Sequence, residues 1–191
     1  MKKRQLAIAV VFGMCILSGC SNYAKTYNEN TLVIQKNNTV IEVAVENFKE
    51  LSLDKSDISS YVEEQINEFN ETNGKNKVKK KSLHMEDDGT AKLTLQYQDI
   101  DSFNQFNLLQ YRLENFSDIE EKTLKGTYTS SDGEKTKYAD LQSVENAQVL
   151  ILSEKQNVVV EGELLYYNEE VTMKDEILAT TGENQAVIIF K

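Results

Sequence analysis

The 191-residue chain contains no proline and no tryptophan, a single histidine (His84) and two cysteines (Cys15 and Cys20). Without proline there is no proline-rich linker, and no stretch is low in complexity or repeats with a fixed period. Both cysteines fall within the first twenty residues. The body that follows therefore has no disulfide and no thiolate metal site, and must hold together by packing alone. One histidine leaves no histidine pair for a metal. Histidine-based catalysis would need a serine or acidic partner, and no G-x-S-x-G nucleophile elbow occurs. His84 alternates with Leu83 and Met85, which suggests an exposed or edge position rather than a catalytic one.

What is present begins with a leader. Met1-Lys2-Lys3-Arg4-Gln5 is basic, and residues 6–17 form a nearly continuous apolar run. This is the form of a secretory signal peptide. The run is too short to span a bilayer, which takes about 20 apolar residues, and no second run of that length follows. The small residues Ser18 and Gly19 precede Cys20. Leu17-Ser18-Gly19-Cys20 resembles the lipobox of bacterial lipoproteins. The resemblance implies diacylglyceryl transfer to the Cys20 thiol, cleavage between Gly19 and Cys20, and location at the cell membrane on its extracytoplasmic face. Two acyl chains hold a protein stably at a bilayer, at about 0.8 kcal/mol per buried CH₂. Removal of residues 1–19 would leave 172 residues, which suits one domain with a real core.

The formal net charge is −10 with the leader and −13 without it, because the leader carries Lys2, Lys3 and Arg4 and no acid. Nucleic acid is an unsuitable partner for so acidic a chain. The whole domain would also be repelled by an anionic lipid surface. Fitting partners are cationic or neutral: a basic peptide, a divalent cation, a sugar or another envelope protein.

Residues 21–30 are polar and read as a short linker of about 35 Å at full extension. Residues 31–35 and 40–46 read as a hairpin around Lys36-Asn37-Asn38-Thr39, since asparagine tolerates the positive φ of a tight turn. Ile41, Val43 and Val45 alternate with Glu42, Ala44 and Glu46, which predicts one apolar and one polar face. Residues 54–70 form the clearest helix. Asp54, Ser56 and Asp57 suit its start, Ile58, Val62, Ile66 and Phe69 form a stripe, and Asn73-Gly74 ends it. Residues 78–85 and 90–98 make a second hairpin around Asp87-Asp88-Gly89, and residues 102–111 a second helix. Beyond it the chain is β-rich. Residues 127–130 and 134–138 flank Ser131-Asp132-Gly133, and residues 139–146 suggest a short helix. Further strands are expected at 148–152, 157–161, 164–167, 171–173 and 186–190, the last closing a sheet. The fold class is α+β: antiparallel hairpins, one or two amphipathic helices and a β-rich C-terminal half in a single domain over 31–191. The one weak internal boundary is near Gly126.

The hairpin of residues 31–48, the acidic helix and the hairpin of residues 78–97 resemble a set of uncharacterised small lipoproteins of low-GC Gram-positive bacteria. That resemblance implies placement on the outer face of the cytoplasmic membrane and brings no catalytic residues.

Other motifs have plainer readings. Ser52-Leu53-Asp54-Lys55 matches S-x-x-K, but the companion motifs are missing, so it marks the start of a helix. The two Asp-Gly turns do not continue into a calcium loop. Glu63, Glu64, Glu68 and Glu71 read as a solvated helix face rather than an acid/base pair. The aromatics Tyr97, Phe103, Phe106, Tyr111 and Phe116 read as core rather than a sugar groove. Lys75, Lys77, Lys79, Lys80 and Lys81 form a basic run. They read as an edge strand guarded by lysines, or as a patch that rests on anionic lipid through Lys77, Lys79, Lys80 and Lys81. No metal, cofactor or catalytic residue is assigned. The sequence therefore points to a membrane-anchored, non-catalytic binding or scaffolding module of the cell envelope. The alternatives are an accessory ligand-binding subunit of a transporter, or a small envelope hydrolase needing two convergent acids.

Overall fold

The computed structural model describes residues 23–51, 53–141, 144 and 146–191. The lipobox with Gly19 and Cys20, and Ser52 of the S-x-x-K match, lie outside the described residues. In chain order the helices are α1 (Tyr23–Thr26), α2 (Lys55–Asn73) and α3 (Ile100–Asn107). The strands before residue 126 are β1 (Thr31–Ile34), β2 (Val40–Asn47), β3 (Val78–Met85), β4 (Thr90–Tyr97) and β5 (Arg112–Asn115). After it come β6 (Thr127–Ser130), β7 (Lys135–Lys137), β8 (Gln148–Leu152), β9 (Asn157–Val160), β10 (Leu164–Asn168), β11 (Val171–Lys174), β12 (Ile177–Thr180) and β13 (Ala186–Phe190). The fold is α+β with a β-rich C-terminal half.

Two sheets form. Sheet A has the order β11-β12-β9-β1-β2-β4-β3, and sheet B the order β5-β8-β13-β10-β6-β7. Both expected N-terminal hairpins are present, with Asn38 at φ 64° and Gly89 at φ 88° in their turns. β1 also pairs in parallel with β9, so the sheet joins strands distant in sequence. Strands from both sides of Gly126 occur in each sheet, and Gly126 lies in the loop just before β6. β13 was expected to close a sheet. It lies instead inside sheet B between β8 and β10, where all five of its side chains are buried.

The main core lies between the sheets and under the helices. Leu32, Ile34, Val40, Leu95, Tyr97, Val158 and Leu178 of sheet A meet Leu150, Leu152, Ile188 and Phe190 of sheet B. α2 lies over β3 and adds Ile66, with Val62 and Phe69 half-buried, while its Ile58 packs with Leu83 and Ala91 in a separate cluster. Asp54 caps it: its carboxylate accepts from the Ser56 and Asp57 amides at 2.7 and 2.9 Å, and Asp57 accepts from the Asp54 amide at 3.1 Å. This reciprocal box satisfies otherwise orphaned N–H groups. Sheet B buries a second cluster on its far face, where Val149, Ile151, Val187 and Ile189 meet Ile119, Leu124 and Leu141. Of the helix expected over 139–146, the described residues show a 3₁₀ turn, Tyr138–Leu141, while residues 142, 143 and 145 lie outside the described residues.

Two corrections concern the N-terminal region. α3 begins at Ile100, with Asp99 as its cap, and ends at Asn107, four residues short of the expected end, with Leu108 as its C-cap at φ 57°. Residues 23–30, expected as linker, pack on the face of sheet A opposite the main core. Ala24 is buried, and Tyr23 and Tyr27 lie against Val33, Ile41 and Val159. The apolar face of β2 is therefore covered by this segment, whereas Glu42 on its polar-looking face points into the interior.

Candidate binding groove

The space between α2 and α3 is built by polar side chains that pin both helices to sheet A. Asn70 of α2 donates through Nδ2 to the Val78 carbonyl at 2.9 Å and accepts the Val78 amide at 3.0 Å, replacing a missing strand partner at the start of β3. Lys80 leaves the same face of β3 to reach Ser59 and Glu63 of α2. α3 is held at its start by Asp99, whose carboxylate accepts from the Ser102 amide at 2.8 Å. Burial opposes the charge of Asp99, but the Ser102 bonds and Lys77 outweigh it and hold the carboxyl below its usual range. At the other end of α3, Asn104 exchanges two hydrogen bonds with the Tyr111 backbone.

This arrangement sets Phe106 of α3 edge-on to Phe69 of α2, with ring centroids 5.3 Å apart. A groove of about 500 Å³ opens beside them. Leu93 and Leu95 of β4 line it with Val62, Phe69 and Phe106, and its polar lining comes from Gln65, Glu68, Thr72 and Asn73. Tyr61 stands at the rim, 64 % exposed. Leu108, just past α3, is 90 % exposed, an unusual cost for a large apolar residue held at a left-handed φ.

Beside this floor lies a half-buried acid. Glu42 sits in register next to Leu95 and so shares its face. The Tyr97 hydroxyl donates to it at 2.5 Å, and Asn107 donates to the Tyr97 oxygen at 3.2 Å. Burial holds the Glu42 carboxyl above its usual range, against the lowering effect of the Tyr97 and Asn107 bonds. Burial and the adjacent Glu42 push the Tyr97 phenol up. This cluster is a packed structural network, with its acceptor oxygens turned to Tyr97 and Asn107.

The lining of the groove holds one carboxylate, Glu68, beside amide and hydroxyl groups and aromatic rings. Such a site takes an apolar group and fixes it by a few hydrogen bonds. Among the described residues no group of three or more histidine, cysteine, aspartate and glutamate side chains is placed to hold a metal.

The residues singled out in the sequence are dispersed. β3 is an edge strand, as the lysine run suggested, with a bulge between Lys80 and Ser82. Lys77 pairs with Asp99 at 3.4 Å and Lys80 with Glu63, while Lys79 and Lys81 are exposed. The four lysines thus do not form one patch. His84 is exposed on the same strand. Glu63, Glu64, Glu68 and Glu71 line the outer flank of α2. Of the five aromatics, Tyr97, Phe103 and Tyr111 are buried core, Phe106 lines the groove, and Phe116 lies on the far side of sheet B. Tyr61, Gln65 and Thr72 were not singled out, and Asn73 was read only as the end of the helix. Their helical spacing along α2 is the one signal that sets them on a shared flank.

No family model matches the chain, and neither a curated protein nor a solved structure matches it. None of the described helices is long and apolar enough to cross a membrane.

Proposed function

We propose that the chain is an extracytoplasmic lipoprotein, held in the cell membrane through acylated Cys20, whose domain is a non-catalytic binding module of the envelope. The observation that carries the anchor is Leu17-Ser18-Gly19-Cys20 behind a basic start and an apolar run. The groove between α2 and α3 is the binding site. Its aromatic and aliphatic floor and hydrogen-bonding rim support capture of an apolar or amphiphilic group. The acidic flank of α2 favours a neutral or cationic ligand over an anionic one.

The test compares wild type with Cys20→Ala in cells fed an alkyne-tagged fatty acid. Label and membrane retention in the wild type, both lost in the variant, are expected. Equal behaviour of the two forms overturns the anchor. A photo-crosslinking residue at Tyr61, with and without Phe106→Ala, then tests the groove. Capture that survives loss of Phe106, or no capture at all, overturns the binding assignment.

A further inference from the structure

The groove between α2 and α3 as the binding site, on which this inference rests, has a shape and a charge that specify its occupant. Tyr61, Gln65, Glu68 and Thr72 line it from one flank of α2, at spacings of four, three and four residues. That is eleven residue steps, about 17 Å of helix. This wall stands over a floor of Leu93 and Leu95 from β4, with Phe69 and Phe106 beside it. An open trough of that length suits an elongated occupant with one apolar side.

The charge along the trough is acidic. Glu64 and Glu71 stand within one helical turn of Glu68 and share a shallow concavity with it on the outer side of α2. Glu46 of β2 lies on the same face of sheet A as Leu93, because it pairs with Ala91 as Ala44 pairs with Leu93. α3 adds Asp101 and no base. No lysine or arginine lines the groove. Lys80 is taken up by Glu63, which points away from the flank of Tyr61 and Gln65, and Lys77 is taken up by Asp99. The other bases of this helix region stand at its two ends: Lys55 is the first residue of α2, and Lys75 follows the Gly74 cap. Between them Glu64, Glu68 and Glu71 are exposed, and among the described residues no base pairs with them.

These three carboxylates repeat at about one helical turn: Glu64 to Glu68 is about 6 Å of rise and Glu68 to Glu71 about 4.5 Å. Basic side chains on successive turns of a second helix stand about 5.4 Å apart and match that spacing. A compact ammonium would instead need a carboxylate free in the floor. The acid beside the floor, Glu42, is turned to the Tyr97 hydroxyl and bonded there. An apolar floor with a charged rim is also the usual division of a protein interface, in which the floor supplies affinity and the rim selects the partner. We infer that the groove takes a basic amphipathic helix of a partner protein. Its apolar side chains lie over Leu93, Leu95, Phe69 and Phe106, and its lysine or arginine side chains run along Glu64, Glu68 and Glu71.

The chain has no tryptophan, so Tyr61→Trp places a single fluorescent reporter on the groove wall. The full-length protein carrying it is held in nanodiscs of zwitterionic lipid. It is titrated with a leucine–lysine peptide about four helical turns long, its leucines on one face. A saturable change in tryptophan emission is expected. It should be several-fold weaker for the same residues scrambled, and absent when glutamate replaces lysine. Glu64→Gln with Glu68→Gln should weaken binding about five- to tenfold, as two exposed charge pairs are lost. Glu169→Gln with Glu176→Gln removes the same charge on either side of β11, at the opposite edge of sheet A, and should leave binding unchanged. All four positions are exposed, and an unchanged far-ultraviolet circular dichroism spectrum checks the fold. Equal weakening by both pairs, or by neither, overturns the inference. So does a scrambled peptide that binds as tightly as the amphipathic one. A long-chain alkylammonium and a neutral alkyl glycoside, each below its micelle concentration, are titrated in parallel. A response to either with none to the peptide sinks the peptide helix and leaves the groove as a binding site, whereas no response to any probe sinks the groove as well.

Discussion

Gly162 is the point where the chain leaves sheet A after β9 and enters sheet B as β10, and replacing it should be among the most damaging single changes in the domain. An ideal Cβ there would stand 2.1 Å from the Lys191 carbonyl oxygen and 3.0 Å from its carbonyl carbon. The obstacle is backbone, not a movable side chain. That backbone is itself engaged: the Glu163 amide donates to the Lys191 carbonyl at 2.7 Å and the Lys191 amide to the Glu163 carbonyl at 2.9 Å. A methyl group must push the two segments apart, losing both bonds at about 1 kcal/mol each and adding overpacking of about 1–3 kcal/mol. Gly162→Ala should therefore lose about 3–5 kcal/mol, which for a chain of this length is a fall in Tm of about 6–20 °C. Gly126 is the control. Nothing lies within 4 Å of its added Cβ, so only its φ of 148° opposes alanine, at about 1–2 kcal/mol. Urea denaturation of the Cys20→Ser form, followed by circular dichroism, measures both. Faster amide exchange at Glu163 and Lys191 in Gly162→Ala would localise the damage. A Gly162→Ala variant as stable as wild type would refute the close crossing.

Three further outcomes follow from the same geometry. Asp54→Ala removes the capping box of α2 and should cost about 1 kcal/mol, read as a lower urea midpoint. Phe106→Ala takes a half-buried ring from between Phe69 and Tyr97 and should cost about 3 kcal/mol as well as opening the groove; a change below the error of the urea fit would contradict that packing. Glu42, with its folded pKa raised by burial, adds stability that is full below its unfolded value and is lost as pH rises through the folded one. Glu42→Gln keeps an acceptor for Tyr97 and should gain on the wild type as pH rises from mildly acidic to neutral, a trend that paired urea titrations across that range would either show or rule out.

The parts of the fold legible in the sequence are those written in local chemistry. The turns at Asn38 and Gly89, the Asp54 cap and the four-residue apolar stripe of α2 each depend on near neighbours, and each is where the pattern placed it. β8 and β13 match the expected 148–152 and 186–190 because unbroken apolar runs mark strands covered on both faces. β5 and β12 were not expected: Arg112-Leu113-Glu114-Asn115 and Ile177-Leu178-Ala179-Thr180 are four residues long, and their pairing with β8 and with β9 and β11 is decided by tertiary contacts. The parallel pairing of β1 with β9 spans more than a hundred residues and left no local trace.

The alternation in β2 misled for a physical reason that also explains the groove and the tether. Period-two patterning tells the two faces of a strand apart but not which face meets the main core. On the apolar face of β2, Ile41 is covered by Tyr23 and Tyr27, spaced as one helical turn inside a stretch that composition alone marks as linker. The face with Glu42 is the one turned to the interior, and it is tolerated there because Tyr97 and Asn107 bond the carboxyl. Had residues 23–30 been a free tether, Ile41 and its neighbour Val33 would be exposed on central strands, a cost of about 2 kcal/mol for each side chain. The packing of that segment is thus required by the sheet it covers. The same packing fixes Tyr23 and Ala24 on the domain, so the order of residues 23–30 and the burial of sheet A depend on the same few side chains.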